Sequence, residues 1–549
     1  MFTQVADPVG GSLALSALVA ALPLITLFVL LGGLRLKAWQ AGLASLVVAL
    51  GVAVFAFRMP AGQALLAASE GAAFGLFPII WIVLTAIWVF KLTELTGYDL
   101  VLRQAFGSLS PDLRIQAILI AFCFGALLEA LAGFGTPVAV TAVMLLAVGL
   151  SPLRAATVTL VANTAPVAFG AIAVPITTLG RITGLDPQAL GAMVGRQTPV
   201  LALFVPLILV LMVDGRRGVR QTWPAALVGG AAFAVAQFVS SNYLAYETAD
   251  IVAAFAGAIA LVVLLRVWQP AEVVAATVAA PVAVPTGGGT IVEEPAAEPL
   301  TARRALLAFA PYLVVVVLFT LASFGPLKVF LDAHSGWKFA WPGLEVLGSA
   351  GKPVSATTFT LNIFTAGGTV LLVSGLVTAA IYRLRPRRVA RAFVDVVVQF
   401  RWTILTVVLV LALAYVMNLS GQTVTLGLAL AATGGFFAFL SPVVGWIGVA
   451  VTGSDTSANS LFGLLQTTAA AKTGISPYLL GAANTSGGVL GKMISPQNLA
   501  IGAAVVGMTG QESELFRKVV GWSVGLLLGM ALLVFLQSTP VLGWMVVAP

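Results

Sequence analysis

Long apolar runs separated by short polar segments extend along almost the whole chain. A run of roughly 20 apolar residues is long enough to cross a bilayer as a helix. The runs predict twelve spans, near 13–34, 37–58, 71–92, 153–179, 197–213, 223–242, 251–267, 305–325, 359–382, 394–418, 478–508 and 519–540. Only 9% of the residues are charged, against roughly 25% in soluble domains. The chain is therefore predicted to be an all-α polytopic membrane protein.

A sparse pattern of glycine, asparagine, threonine and proline occurs twice in the chain. Gly453 lies 320 residues after Gly133, and Asn484 lies 321 residues after Asn163. Residues that interrupt helices have no use inside a plain membrane span. Their recurrence at one register in two halves points to a transporter whose binding site lies near the bilayer midplane.

Two further apolar segments are interrupted in the middle by glycine-containing motifs. They cover about 115–150 and 433–471, and the interruptions begin at Gly133 and Gly453. Non-helical backbone at membrane depth is tolerated only where protein or a water-filled cavity covers it. We therefore expect two re-entrant hairpins in addition to the twelve helices.

The pattern divides the chain into three parts. The first repeat covers 1–222, with a broken helix at 153–179, and the second covers 305–549, with a broken helix at 478–508. Between them, 223–304 contains two spans and an Ala- and Pro-rich segment without periodicity. This last segment is expected to be a flexible cytoplasmic linker.

Basic residues are distributed unevenly between the predicted connections. With the N-terminus outside, 20 of the 28 Lys and Arg residues fall on the cytoplasmic side and seven fall outside, as the positive-inside rule requires. Both termini are then expected outside. In this topology the two hairpins enter the membrane from opposite sides, so the repeats are expected to be inverted.

Cysteine and histidine are too scarce for several kinds of chemistry. One cysteine, Cys123, and one histidine, His334, leave no material for a disulfide framework, a haem site or a zinc site. No nucleophile and base stand together as an enzyme would need. The net charge of +8 comes from residues between apolar runs that form no basic stripe, so a nucleic acid partner is not expected. We expect a lipid bilayer around the chain, and no metal or cofactor.

Three charged residues lie in the predicted membrane interior. Glu129 precedes the first hairpin break, Asp455 lies in the second break, and Lys492 lies in the second broken span. Each such charge costs about 2.5 to 3.5 kcal/mol on insertion scales, which makes function the default hypothesis. None has a charged counterpart in the other repeat.

These charges suggest distinct roles in transport. Lys492 is expected to bind an anionic substrate, and Glu129 or Asp455 to carry a coupling proton. Glu129 has no basic neighbour in the sequence and is the preferred proton carrier. Asp455, if it lies near Lys492, would stay ionised and hold that lysine in place. The alternative is that Asp455 and Lys492 only neutralise each other as a buried pair.

Uncharged residues beside the breaks complete the candidate substrate site. Amides, hydroxyls and free backbone groups at helix ends suit a carboxylate or a small cation. The set is Asn163, Thr164, Asn484, Thr485, Gly135, Thr136, Ser454, Thr456 and Ser457.

Three segments resemble the signature motifs of the lactate permease family. They are LEALAGFGTP at 128–137, TGSDTSANSLFG at 452–463 and SGGVLGKMISPQ at 486–497. The resemblance extends over nearly the whole chain. It implies secondary uptake of L-lactate, with D-lactate and glycolate as further substrates, by proton symport across a bacterial plasma membrane.

Two other mechanisms stay open on the residues alone. A sodium-coupled carboxylate carrier fits the paired Asn-Thr sites equally well, because amides and unwound carbonyls can hold sodium. An anion channel needs a continuous gated pore, and inverted broken repeats argue against one. The oligomeric state is left open.

Overall fold

The computed structural model describes residues 1–34, 36–133, 135–275, 301–323, 330–331, 336–348, 351 and 353–547. Most of the predicted linker, 276–300, lies outside the described residues, as does His334.

The helices of the first half follow one another with short connections. They are α1 Leu13–Phe28, α2 Ala38–Gly51, α3 Ala61–Phe74, α4 Trp81–Thr96, α5 Tyr98–Gly107, α6 Leu113–Ala117, α7 Gly125–Ala132, α8 Thr136–Ala147, α9 Pro152–Ala162, α10 Gly170–Thr183, α11 Pro187–Val194, α12 Thr198–Ala202, α13 Val205–Tyr243 and α14 Ala249–Val267. Turns of π-helix extend α1, α2, α3 and α6 at Val29–Gly33, Val52–Ala56, Gly75–Ile80 and Ile118–Phe124, and 3-10 turns occur at Val167–Phe169 and Tyr246–Thr248.

The second half adds helices and two small sheets. Its helices are α15 Ala302–Ser323, α16 Gly367–Ile381, α17 Pro386–Gln399, α18 Arg401–Ser420, α19 Gln422–Ala431, α20 Phe437–Thr452, α21 Asp455–Thr473, α22 Pro477–Lys492, α23 Pro496–Val505 and α24 Glu512–Gln537, with 3-10 turns at Ser355–Thr357, Gly434–Phe436 and Gly543–Met545. Strands β1 Phe2–Thr3 and β3 Val346–Leu347 pair in parallel, and β2 Gly336–Ala340 and β4 Thr358–Asn362 form an antiparallel hairpin.

The helices confirm the all-α polytopic class. Ten helical stretches in the described residues are long and apolar enough to cross a membrane. An eleventh results if Pro152–Ala162 and Val167–Thr183, which meet at a bend of 62°, count as one span. The total of twelve spans, the re-entrant course of the hairpins and their inverted relation stay predictions.

One predicted loop is helical. Between the spans expected at 197–213 and 223–242, non-helical backbone interrupts α13 at Gly215, with φ 64°, and the Arg-rich segment that follows is already helical. Arginine is a good helix former. The connection between the two helical parts is therefore a kink at Gly215, and the charged residues begin the second part.

Two other predicted spans have different boundaries. The segment expected to span at 359–382 begins as strand β4, whose alternating TFTLN sequence pairs with β2, and its helix α16 has only 15 residues. A hydropathy window does not separate an alternating strand from a helix. The span expected at 394–418 is divided at Phe400 between α17 and α18.

The molecule has two distinct ends, which we name the strand face and the linker face. At the strand face, Gln4 beside β1 donates to the carbonyls of Asn418 and Leu419, and Arg196 donates to the carbonyl of Met545. Both terminal segments therefore lie at the end that carries the sheets. Which end is outside the cell stays a prediction.

The linker face is closed by an ionic cluster around Arg114. This side chain is fully buried and donates to Asp112 at 2.7 Å and to Asp214 at 3.1 Å. A hydrogen bond from Gln221 and the nearby arginines lower the pKa of the exposed Glu272 carboxyl. The cluster ties α6 to α13 and to the chain that follows α14.

Close packing of α20 against α22 forms the centre of the second half. A Cβ atom on Gly487 would collide with the backbone of Pro442, and one on Gly491 would collide with the carbonyl of Trp446. Both glycines are therefore needed for close approach of the two helices. This packing positions Lys492, the last residue of α22.

Candidate functional site

Interruptions of helices from both halves converge in the interior. The α7–α8 connection passes through Gly135 with φ 90°, and the α20–α21 connection passes through Gly453 with φ 74°. Glycine adopts this left-handed conformation without strain. Helix α10 begins with three left-handed residues at 171–173, and the chain is unwound between Lys492 and Pro496.

These interruptions enclose a small cavity of about 40 Å³. Its polar and charged lining is contributed by both halves and consists of Glu129, Ser454, Asp455, Thr456, Lys492, Gln497 and Asn498. Small and apolar residues complete the wall, namely Gly133, Val167, Gly170, Ala171, Val174, Pro175 and Gly453. We refer to this space as the central cavity.

A buried ion pair joins the two halves at the central cavity. The Nζ atom of Lys492 donates to Oε1 of Glu129 at 2.6 Å, and the two side chains are 8% and 3% exposed. The second carboxylate oxygen of Glu129 accepts from Nδ2 of Asn163 at 2.9 Å. Gly170 leaves room for this carboxylate, because a Cβ there would lie 2.8 Å from Oε1. Glu129 has no basic neighbour in the sequence, and the structure supplies one that lies 363 residues further along the chain.

Asp455 lines the same cavity but does not form the expected ion pair with Lys492. Both of its carboxylate oxygens are buried and have no hydrogen-bond partner among the described residues. The carboxylate interacts electrostatically with Lys492, yet the direct bond of that lysine is to Glu129. The alternative of a plain Asp455–Lys492 ion pair is therefore not what the structure shows. Ser454 caps α21 by accepting from the backbone N–H of Ser457 at 3.3 Å.

Asn484 and Thr485 lie away from the cavity. Both are in the middle of α22, where the backbone is continuous, so the expectation of unwound backbone beside them is wrong. Asn484 Nδ2 donates to Oδ1 of Asn459 at 2.8 Å, and Asn459 Nδ2 donates to Thr485 at 2.7 Å and to the carbonyl of Pro175 at 3.0 Å. These residues form a polar hub between α10, α21 and α22.

The other predicted residues divide into two groups. Ser454 and Thr456 line the central cavity, and the backbone beside Asn163 is unwound, as predicted. Gly135, Thr136, Thr164 and Ser457 are not part of the cavity wall. Thr164 uses its hydroxyl to bond the carbonyl of Val161 at 2.7 Å, and a Cβ on Gly135 would collide with Ile501.

The structure adds residues that the sequence did not single out. Gln497 and Asn498 line the cavity, and Asn498 Nδ2 donates to the carbonyl of Lys492 at 3.0 Å. Their position directly after Pro496 is a signal that could have identified them.

Asp250 is a further buried carboxylate near the site. Its Oδ1 accepts from Gln237 at 3.0 Å, and its Oδ2 has no hydrogen-bond partner among the described residues. Gln237 also donates to the carbonyl of Ala165, in the break that follows Asn163. Asp250 interacts electrostatically with Glu129 and Lys492. The sequence signal that could have identified Asp250 is its position as an acidic residue directly before a predicted span.

Broken helices that enclose a charged cavity inside a multi-pass helical protein define the class of secondary transporters. Within the described residues, no three His, Cys, Asp or Glu side chains group as a metal site would require.

The comparisons with known proteins identify the family. The L-lactate permease family matches residues 16–541. The glycolate permease GlcA of Escherichia coli (strain K12) is 42% identical over 562 residues, which cover 99% of each chain. The L-lactate permease of Bacillus subtilis (strain 168) is 41% identical over 566 residues, which cover 99% of this chain and 100% of that one. The chain belongs to the L-lactate permease family, which confirms the resemblance drawn from its motifs.

Among solved structures, the YdaH transporter of Alcanivorax borkumensis is similar at 17% identity and a TM-score of 0.42, over 85% of this chain and 86% of that one.

Proposed function

We propose that the protein takes up L-lactate, and also D-lactate and glycolate, by proton symport across the bacterial plasma membrane. The observation that carries this proposal is the buried Lys492–Glu129 pair, which bridges the two halves at the central cavity. The relatives named for L-lactate and for glycolate support this class of substrate.

The ion pair suggests how proton and substrate depend on each other. A monocarboxylate that binds Lys492 competes with the Glu129 carboxylate for the same ammonium group. Leaving Glu129 charged and unpaired at 3% exposure is costly. Protonation of Glu129 removes that charge and frees Lys492 for the substrate. Proton binding and substrate binding then favour each other, which is the reciprocal coupling that symport requires.

Asn163 has a supporting role in this scheme. Its amide donates to Glu129 Oε2, and it can donate equally to the carbonyl oxygen of a protonated carboxyl group. The side chain therefore stays in place through both protonation states. The Asp455 carboxyl interacts electrostatically with Lys492, and both residues line the central cavity.

The central cavity must enlarge during transport. Its volume of about 40 Å³ has room for on the order of three water molecules, which is less than a lactate ion needs. Substrate access therefore requires the elements around the cavity to move apart. Helix α10 and the α20–α21 turn are the natural moving parts, because they form its walls.

Counterflow of labelled L-lactate in proteoliposomes tests the function itself. We expect saturable exchange, competition by D-lactate and glycolate, and accumulation driven by an inward proton gradient without sodium. If accumulation requires a sodium gradient instead, the coupling ion is sodium and not the proton. Asn484 and Thr485 belong to the Asn-Thr sites expected to hold sodium. Their side chains already donate to Asn459 within the polar hub, which disfavours that outcome.

Glu129→Gln tests the coupling role. It mimics the protonated state, so lactate exchange should persist. With a proton gradient applied, the internal lactate concentration should no longer rise above the external one. Glu94→Gln is the matched control, since Glu94 pairs with Lys91 at 2.7 Å on the surface, and it should behave like wild type. If Glu129→Gln still concentrates lactate from an acidic outside, the coupling residue is another one.

Lys492→Arg tests the substrate role. The variant should bind lactate poorly, because the planar guanidinium does not replace a compact ammonium group in a cavity of this size. Wild-type affinity for lactate in this variant or in Lys492→Ala would exclude Lys492 as the carboxylate-binding residue.

A further inference from the structure

A second and larger cavity lies next to the central cavity, toward the strand face. It has a volume of about 520 Å³, within the range of about 300 to 1,000 Å³ usual for small-molecule pockets. Helix α10, the end of α13, the 3-10 turn at Tyr246–Thr248 and the start of α16 contribute to its wall. We refer to it as the outer cavity.

Arg181 places a positive charge on the wall of the outer cavity. Its Nη1 atom donates to the carbonyl of Thr360 at 3.0 Å. Within the described residues, its guanidinium makes no salt bridge with a carboxylate. A guanidinium group offers five N–H donors in a planar fork that matches a carboxylate. Most of these donors are therefore available for an anion in the cavity.

Hydroxyl groups stand on the same wall. Tyr246 and Thr177 share a hydrogen bond of 3.1 Å, and both line the cavity. The hydroxyl of Thr365 is buried and has no hydrogen-bond partner among the described residues. Two carboxylates, Asp186 and Glu247, line the cavity as well, and Glu247 hydrogen-bonds the Tyr246 hydroxyl. An anion in this cavity would therefore be held at Arg181 and Thr365, where the free donors lie.

One helix separates the outer cavity from the central cavity. Ala171 lines the central cavity and Ile172, the next residue, lines the outer one. Both residues are left-handed, with φ 46° and φ 55°, a conformation that costs about 1–2 kcal/mol per residue. Further along α10, Pro175 lines the central cavity and Thr177 the outer one. A small displacement of this strained start of α10 would join the two spaces.

We propose that the outer cavity is a first binding site for the substrate anion, in which Arg181 binds the carboxylate before it passes α10 to reach Lys492. This proposal rests on the proposed function, because the anion is taken to be a hydroxylated monocarboxylate. The site serves capture from one membrane face and takes no part in the coupling.

Transport kinetics test this site through its asymmetry. In Arg181→Gln, the KM for lactate presented at the strand face should rise about tenfold, the effect of one charge-assisted hydrogen bond. The maximal rate, the KM at the linker face and the final accumulation should stay within twofold of wild type. Arg181→Lys, which keeps the charge, should have an intermediate KM.

Arg196→Gln is the matched control for loss of a positive charge at the same end. Arg196 bonds Asn242 and Met545, both at 2.9 Å, and does not line the cavity. It should leave the KM unchanged. An equal rise in KM for the Arg181 and Arg196 variants, or a wild-type KM in Arg181→Gln, would overturn the proposal.

Binding of labelled lactate to purified protein separates this proposal from the proposed function. Lys492→Ala, which lacks the central cation, should retain weak lactate binding that is lost when Arg181→Gln is added and kept when Arg196→Gln is added. Residual binding that is indifferent to Arg181, or its complete absence, refutes the outer site. Absence of lactate transport by the wild-type protein refutes the proposed function instead.

Discussion

Exchanging Lys492 for methionine removes the positive member of the buried pair while keeping most of the apolar stem of the side chain. Glu129, 3% exposed, then keeps, within the described part of the chain, one side-chain donor, the amide of Asn163. Removing one partner of a buried ion pair destabilises a protein by about 3–5 kcal/mol, because the other charge stays buried without compensation. We therefore expect Lys492→Met to lower the free energy of unfolding by about 4 kcal/mol.

A second substitution separates stability from transport. Adding Glu129→Gln removes the uncompensated charge and keeps the hydrogen bond from Asn163. The double variant should recover at least half of the lost stability, since Asp455 remains without its cation. It should recover no saturable lactate uptake.

Unfolding in mixed detergent micelles, followed by the fluorescence of the 11 tryptophans, measures these differences. Lys91→Met is the matched control, because Lys91 and Glu94 make a pair of 2.7 Å with side chains 34% and 36% exposed. An exposed pair is worth about 0.2–1 kcal/mol. Equal losses of stability in the two lysine variants, or no recovery in the double variant, would refute the reasoning that burial makes the central pair contribute more to stability than an exposed pair.

Three further predictions follow from the site and its packing. Asp455→Asn should slow lactate exchange and gradient-driven accumulation alike, by about tenfold or more, because it changes the electrostatic field at Lys492; equal counterflow in variant and wild type would contradict this. Gly487→Ala should lower stability by about 1–3 kcal/mol through collision with Pro442, whereas Gly521→Ala, with open space around its Cβ position, should change it by less than about 0.5 kcal/mol in the same assay. Asn459→Ala removes the centre of the polar hub and should lower the unfolding midpoint, with a loss of about 1–3 kcal/mol from the amide and hydroxyl groups left unpaired.

The membrane class was predictable from the sequence because hydropathy is a local property. A run of about 20 apolar residues can satisfy its backbone in lipid only as a helix or within a closed barrel. Errors arose where local pattern and tertiary context differ. The Arg-rich segment after the kink at Gly215 is helical, and the alternating residues of β4 find a partner strand in β2. Neither outcome is visible in a window of one segment.

The members of the central site were predictable in part for the same reason. Glu129, Asp455 and Lys492 stand out because charge is rare in apolar sequence, and all three line the central cavity. Asn484 and Thr485 shared the repeated pattern with Asn163 and Thr164 but lie in continuous helix and bond Asn459. Recurrence in the sequence indicated a common scaffold, and did not distinguish cavity residues from packing residues.

The sequence by itself determined that this chain is a helical membrane protein of the L-lactate permease family, with three isolated charges and interrupted helices. Those properties depend on residue types and on spacings within single segments. Only the tertiary structure decided that Lys492 bonds Glu129 and not Asp455, and that Arg181 faces a cavity beside α10. Pairing across 363 residues depends on how the two halves pack, because a buried charge takes the partner that the packing brings within hydrogen-bond distance.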